Sequence, residues 1–210
     1  MMELTGKRFA ILGDSYSTFR GFIPAENEPY YPDLNAVPDV RCVEDTWWHR
    51  LAESTGMVLT VNDSYSGSTV CTQVREGHPI WNSYVRRAET VDYSGGGTDP
   101  DYILIFGGTN DSWLEREIGE PLYEEATAEQ LRQVLPAFCH VLKVFARRYP
   151  HAKLVAVVNT ELDPRIMEGM AQAAVHLGAK VAVLSDIEKY NSHPTSAGMA
   201  AIARQVEAVL

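Results

Sequence analysis

Five short apolar runs, at residues 7–12, 57–61, 102–106, 153–158 and 180–184, recur along the chain, and helical patterns fill the spaces between them. Runs of this length that are apolar throughout, rather than alternating, read as strands buried on both faces. Strands of that kind joined by helices build a parallel sheet covered on both sides. The predicted fold is therefore α/β: a three-layer α/β/α arrangement around a five-stranded parallel sheet in the flavodoxin-like order 2-1-3-4-5, with residues 1–210 as a single domain. That order sets the carboxyl ends of the first and third strands side by side at the switch point, where open α/β sheets bind ligands.

Helices are expected over 44–55, stopped by Gly56, and over 79–91. A third runs from the capping box of Thr127 and Gln130 through Arg148, with Pro136 kinking or restarting it. A fourth leads from the cap Asp163-Pro164 to a stop at Gly178, and residues 195–210 close the chain. The segment from the first strand to about Arg41 is rich in Pro, Asn, Tyr and Gly and has no period. It is expected to be a long loop, folded over the sheet edge by Tyr16, Phe19, Phe22, Tyr30 and Tyr31 as one wall of a site.

The formal net charge of −10 disfavours partners that present a phosphate backbone or an anionic membrane surface, so neither nucleic acid nor membrane is expected. No apolar run approaches the roughly eighteen residues of a membrane span. So few residues precede the first run that a cleavable leader has no room, and a cytoplasmic location is the expectation. Cys42, Cys71 and Cys139 are widely separated and odd in number, which fits reduced packing thiols. No pair of histidines has the spacing of a metal site: His49, His140 and His176 fall in helical stretches, and His78 and His151 precede a helix or a strand. No metal or cofactor is expected.

The first strand runs directly into Gly13-Asp14-Ser15, which places a hydroxyl at the sheet's carboxyl edge. Alone, this tripeptide is an ordinary turn that caps a helix. Three further polar blocks follow strands or open helices: Asn62 to Ser68, Gly107-Gly108-Thr109-Asn110-Asp111, and His193-Pro194 with the residues after it. Within the second block, Gly67 is the residue able to bring a backbone N–H close to a ligand.

Together the four blocks resemble the SGNH, or GDSL-type, hydrolase family of esterases and lipases. Gly13-Asp14-Ser15 is similar to the first family block, Gly67 to the second, Gly108-Thr109-Asn110-Asp111 to the third and His193-Pro194 to the last. The resemblance implies that Ser15 attacks an ester carbonyl while His193 removes its proton. It also implies an oxyanion hole built from the N–H of Ser15, the N–H of Gly67 and the side-chain amide of Asn110. Asp14 and Asp111 are assigned to holding the loops. The family has an acid three positions before the histidine, where this chain has Tyr190. Asp186, which follows the fifth strand directly, is the preferred orienting acid. Glu188 stands as an alternative, as does a dyad in which a backbone carbonyl or water orients the ring.

The expected activity is hydrolysis of a small acyl ester, first of all an acetyl group on a carbohydrate, by a chain that stands alone or as a homo-oligomer. Tyr30, Tyr31, Trp47, Trp48, Tyr65, Trp81 and Trp113 are expected near the mouth, where such rings stack on sugars but equally often only pack. The alternatives are a lipase or thioesterase for longer acyl groups, or a binding module on the same sheet. The latter would be a phosphate or flavin site at Ser15-Tyr16-Ser17-Thr18, or a relative without activity.

Overall fold

The computed structural model describes residues 4–210. Its central sheet has five parallel strands in the order β2-β1-β3-β4-β5: β1 Arg8–Gly13, β2 Val58–Ser64, β3 Tyr102–Gly107, β4 Lys153–Val158 and β5 Lys180–Val183. Strand count, direction and order are those expected. Successive side chains of a strand point to opposite faces, and both faces here are covered. Ala10 and Leu12 of β1, with Ile103 and Ile105 of β3, pack under α2 (Tyr84–Thr90), α4 (Val134–Arg148) and α5 (Pro164–His176). Phe9 and Ile11, with Leu104 and Phe106, pack under α1 (Trp47–Thr55) and α6 (Ser196–Glu207).

Local signals set most helix ends. Thr46 accepts from the His49 N–H at the start of α1, and Gly56 ends it in the left-handed region at φ 71°. Asp163 accepts from the Arg165 N–H and Pro164 occupies the first turn of α5. Thr127 and Gln130 form the expected reciprocal bonds, but these lead into a short 3₁₀ turn, Gln130–Arg132, rather than the long helix. The long helix restarts at Val134, which leaves Pro136 in a first turn that has no use for its missing N–H. The stretches expected as single helices at 44–55 and 79–91 also each open with a 3₁₀ turn, Val43–Asp45 and Ile80–Asn82.

Three features depart from the sequence reading. The second strand does not end at Val61 but continues through Asn62, Asp63 and Ser64, all buried. Polar residues persist there because each has a partner. The Asn62 amide donates to the Ser17 carbonyl at 2.9 Å, Ser64 donates to Asn62 at 2.6 Å, and Tyr93 donates to Asp63 at 2.6 Å. A short helix, α3 (Thr109–Trp113), follows β3. A two-stranded antiparallel hairpin, β6 (Lys189–Tyr190) and β7 (His193–Pro194), lies between β5 and α6.

The segment 18–42 contains no helix or strand, as expected of the long loop, yet it is tied down. Tyr31, Val37 and Val40 are buried in the core, and Asn27 donates to Asp63 and to the Ser64 carbonyl. The loop therefore lies over the carboxyl ends of β1 and β2, beside the switch point.

Candidate active site

Gly13 ends β1 between Ser64 of β2 and Phe106 of β3. A Cβ at Gly13 would run into the Ser64 hydroxyl and the Ser17 side chain, so the sharp exit needs a glycine. The chain then enters a 3₁₀ turn, Ser15–Ser17, capped by the Asp14 carboxylate, which accepts from the Tyr16 N–H at 3.0 Å. Burial pushes the Asp14 carboxyl up to about 7. Trp47 and Trp48 brace this turn from below: their indole N–H groups donate to the Ser17 hydroxyl and carbonyl at 3.2 and 2.9 Å. Both rings are buried, so these two tryptophans are core rather than mouth.

His193 arrives on the short hairpin. Its Nε2 lies 3.0 Å from Ser15 Oγ although 178 positions separate the two residues. Its Nδ1 lies 3.1 Å from the Asn191 carbonyl oxygen. A carbonyl can only accept, so Nδ1 carries the proton, and the Nε2 lone pair faces the serine hydroxyl. Burial holds the imidazole down at about 4; the Asn191 carbonyl works against that shift and Lys189 adds to it. The ring is therefore neutral at ordinary pH, the form that accepts a proton.

Asp186 is not brought to this ring. It is exposed, with φ 52°, and makes no contact with His193, whose Nδ1 is taken by Asn191. Glu188 instead accepts from the Thr195 hydroxyl at 2.6 Å, at the start of α6. Asn191 and Ser192, both in the left-handed region at φ 47° and 62°, turn the hairpin tightly enough to aim the Asn191 carbonyl back at the ring.

The second and third blocks converge on the same edge. Gly67 has φ 80°, and a Cβ there would lie 2.6 Å from the His78 ring. Asn110, in the first turn of α3, donates to the Ser68 carbonyl at 2.9 Å, which leaves its second amide hydrogen free. Among the described residues, the backbone N–H groups of Ser15 and Gly67 donate to no protein acceptor. Asp111 holds the loop after Gly67, accepting from the Val70 and Cys71 N–H groups at 2.8 and 3.1 Å. Gly107 admits the Tyr84 ring, whose hydroxyl donates to the Phe106 carbonyl at 2.5 Å; a Cβ at that position would lie 2.5 Å from the ring.

Sequence reasoning missed Arg87. It is fully buried, and it joins the first two blocks from behind. It donates to the Gly13 carbonyl at 3.0 Å, to the Ser68 hydroxyl at 2.9 Å, to the Asn82 carbonyl at 2.8 Å and to the Asp63 carbonyl, and it pairs with the Asp63 carboxylate at 3.4 Å. Burial disfavours its charge, but Asp63 together with Tyr93 and Tyr84 outweighs that, and its pKa is raised. A carboxylate inside the β2 run calls for a cation, but no spacing in the sequence says which one.

A family model for GDSL-like lipases and acylhydrolases matches residues 7–210. A crystal structure from Bacteroides uniformis ATCC 8492, provisionally described as a GDSL-like lipase, is 39% identical, with a TM-score of 0.87 over 96% of this chain and 93% of that one. Another so described, from Bacteroides ovatus ATCC 8483, is 32% identical, with a TM-score of 0.85 over 97% of each chain. A family two carbohydrate esterase from Clostridium thermocellum, solved with cellohexaose, shares the fold at 14% identity, with a TM-score of 0.60 over 96% of this chain and 62% of that one. No curated protein matches the sequence. Fold and similarity together define an ester hydrolase of the three-layer α/β/α class. The chain belongs to the GDSL-like lipase/acylhydrolase family.

Proposed function

We propose that this hydrolase is a serine esterase acting through Ser15 and His193 on a small acyl ester, with an acetyl group on a carbohydrate as the substrate. The observation that carries the reading is the 3.0 Å approach of Ser15 Oγ to a neutral His193 Nε2. Ser15 attacks the acyl carbon as its proton passes to Nε2, and the Asn191 carbonyl holds the ring through Nδ1–H. The negative charge that develops on the carbonyl oxygen is met by the N–H groups of Ser15 and Gly67 and the Asn110 amide. His193 then returns the proton to the leaving alcohol, and water, deprotonated by the same ring, hydrolyses the acyl-enzyme.

Two exposed tryptophans favour a sugar as the alcohol. Trp113 lies edge-on to His193 with ring centroids 5.8 Å apart, and Trp81 packs on Tyr65, close to Gly67, at 5.5 Å. Exposed rings beside an ester site offer flat faces to a pyranose. The fold-level likeness to a carbohydrate esterase agrees with this choice.

The test is turnover of p-nitrophenyl acetate and of acetylated xylan or cello-oligosaccharides by the purified chain. Ser15→Ala and His193→Ala are expected to abolish turnover while circular dichroism stays native. Undiminished turnover in Ser15→Ala refutes the nucleophile. Preference for long-chain acyl esters over acetylated glycans refutes the substrate.

A further inference from the structure

The family's acid is absent from the position before His193, yet the imidazole is held firmly, and the groups around it differ in kind from a carboxylate. Tyr16, in the turn directly after Ser15, donates its hydroxyl to the Ser192 carbonyl at 2.5 Å. Tyr31, in the long loop, donates its hydroxyl to the Pro194 carbonyl at 2.9 Å. The residues on either side of His193 are thus each tied to a buried phenol, and both phenols come from the stretch that carries the nucleophile. Tyr30 lies flat against the imidazole, with ring centroids 3.6 Å apart and planes 7° from parallel. Tyr16 adds a tilted contact at 5.3 Å.

On the reading that Ser15 and His193 form the nucleophile-base pair, we propose that Tyr16, Tyr30 and Tyr31 are positioning residues that take over the orienting work of the missing acid. The hairpin has two residues in each strand and a left-handed turn, too little structure to fix a side chain by itself. With Ser192 and Pro194 both anchored, the His193 backbone has two fixed neighbours. With Tyr30 against its face, the ring cannot rotate away from the plane that carries Nε2 to Ser15 and Nδ1 to Asn191. The stack has a second effect. When the ring takes the serine proton, its positive charge appears against the π-face of Tyr30, which a carboxylate would otherwise have compensated. The charged group that acts on His193 itself is Lys189, whose ammonium lies over the Tyr16 ring and pairs with Glu161 at 2.9 Å, while the carboxyl groups of Asp33, near Tyr30, and of Asp14 and Asp39, near Tyr31, act on the tyrosines. The Lys189 charge opposes the imidazolium, so the compensation falls to Tyr30 and the Asn191 carbonyl.

The loop aromatics therefore serve two ends: they cover the sheet edge and they set the register between Ser15 and His193. This explains how position 190 can carry an exposed tyrosine where the family has an acid.

The experiment compares wild type, Tyr16→Phe/Tyr31→Phe and Tyr30→Leu on p-nitrophenyl acetate across pH, with circular dichroism to establish the folded fraction. Displacing a catalytic group by about 1 Å costs on the order of 10²-fold. The double variant is expected to lose about that much kcat with little change in KM. Its acid limb should also move up towards the ordinary imidazole range as the freed ring meets water. Tyr30→Leu, on a half-exposed residue, is expected to lose about tenfold in kcat, as the loss of a cation–π contact would give, and it carries the test if the double variant does not fold. Unchanged kcat in folded variants overturns the proposal, and so does a loss that merely tracks the unfolded fraction with the acid limb unmoved. Ser15→Ala in the same assay separates the two claims: if it stays active the nucleophile assignment fails, whereas an inactive Ser15→Ala beside unaffected tyrosine variants sinks only the clamp.

Discussion

Replacing Arg87 with Met removes a buried cation that ties the ends of β1 and β2 together. The residue is 1% exposed, and its donors reach the Gly13, Asp63 and Asn82 carbonyls and the Ser68 hydroxyl as well as the Asp63 carboxylate. Methionine fills much of the volume, so the cavity contribution is small and the charge contribution dominates. Asp63 keeps bonds from Tyr93 and Asn27 but loses its cation in a dry setting. Breaking a buried pair from one side costs about 3–5 kcal/mol. For a chain of this size each kcal/mol moves Tm by roughly 2–4 °C, so a fall of roughly 6–20 °C is expected. Urea titration followed by circular dichroism measures the stability loss directly. Adding Asp63→Asn should recover part of it, because the neutral amide no longer needs a counter-charge and Tyr93 can still donate to its oxygen. Activity should fall too, since Gly13 O and Ser68 anchor the nucleophile turn and the Gly67 loop. A loss below about 1 kcal/mol for Arg87→Met, or no recovery in the double variant, refutes the view of Arg87 as the keystone of these loops.

Other outcomes follow from the site's geometry. Burial holds the His193 imidazole at about 4, and the ring works as a base only when neutral, so kcat/KM should stay level down through the ordinary histidine range and fall as pH drops through about 4. A pH–rate profile on an activated acetate ester measures this, and a midpoint at or above 6.5 contradicts it. Asn110→Ala should lower kcat by about 10²–10³-fold with a modest change in KM, because it removes a donor that matters most in the transition state. Steady-state kinetics separate the two constants, and an effect confined to KM goes against an oxyanion role. Asp186→Asn should leave kcat within about twofold, since this exposed carboxylate makes no contact with the ring. A large loss there would restore the acid that the geometry removes.

Much of this was legible in the chain itself. The five apolar runs announce the strands because they have no polar alternation, and the order comes from the flavodoxin-type arrangement of parallel strands joined by helices. Ser15, Gly67, Asn110 and His193 could be picked out because each lies in a short polar block that follows a strand or opens a helix, and the blocks follow one another in a recognisable order. What stayed hidden depends on contacts between distant segments. Asn62, Asp63 and Ser64 look like a turn until their partners Ser17, Tyr93 and Arg87 are in place. Arg87 sits on a helix, where a lone arginine reads as solvent-facing. The group at His193 Nδ1 is a main-chain carbonyl, which the sequence leaves open as an alternative but which no side-chain pattern singles out over a nearby aspartate. Tyr16 and Tyr31 announced themselves only as bulk; the hydroxyl bonds that give them a specific task emerge once the last hairpin folds back.

The most direct test of the central claim asks whether Ser15 is an activated nucleophile. The intact chain is treated with a fluorophosphonate probe at neutral pH, digested, and mapped by mass spectrometry. A single adduct on the peptide carrying Ser15, formed in wild type and lost or slowed by orders of magnitude in His193→Ala, is the predicted result. Labelling of some other residue, or equal labelling of Ser15 with and without His193, would contradict a serine activated by that imidazole.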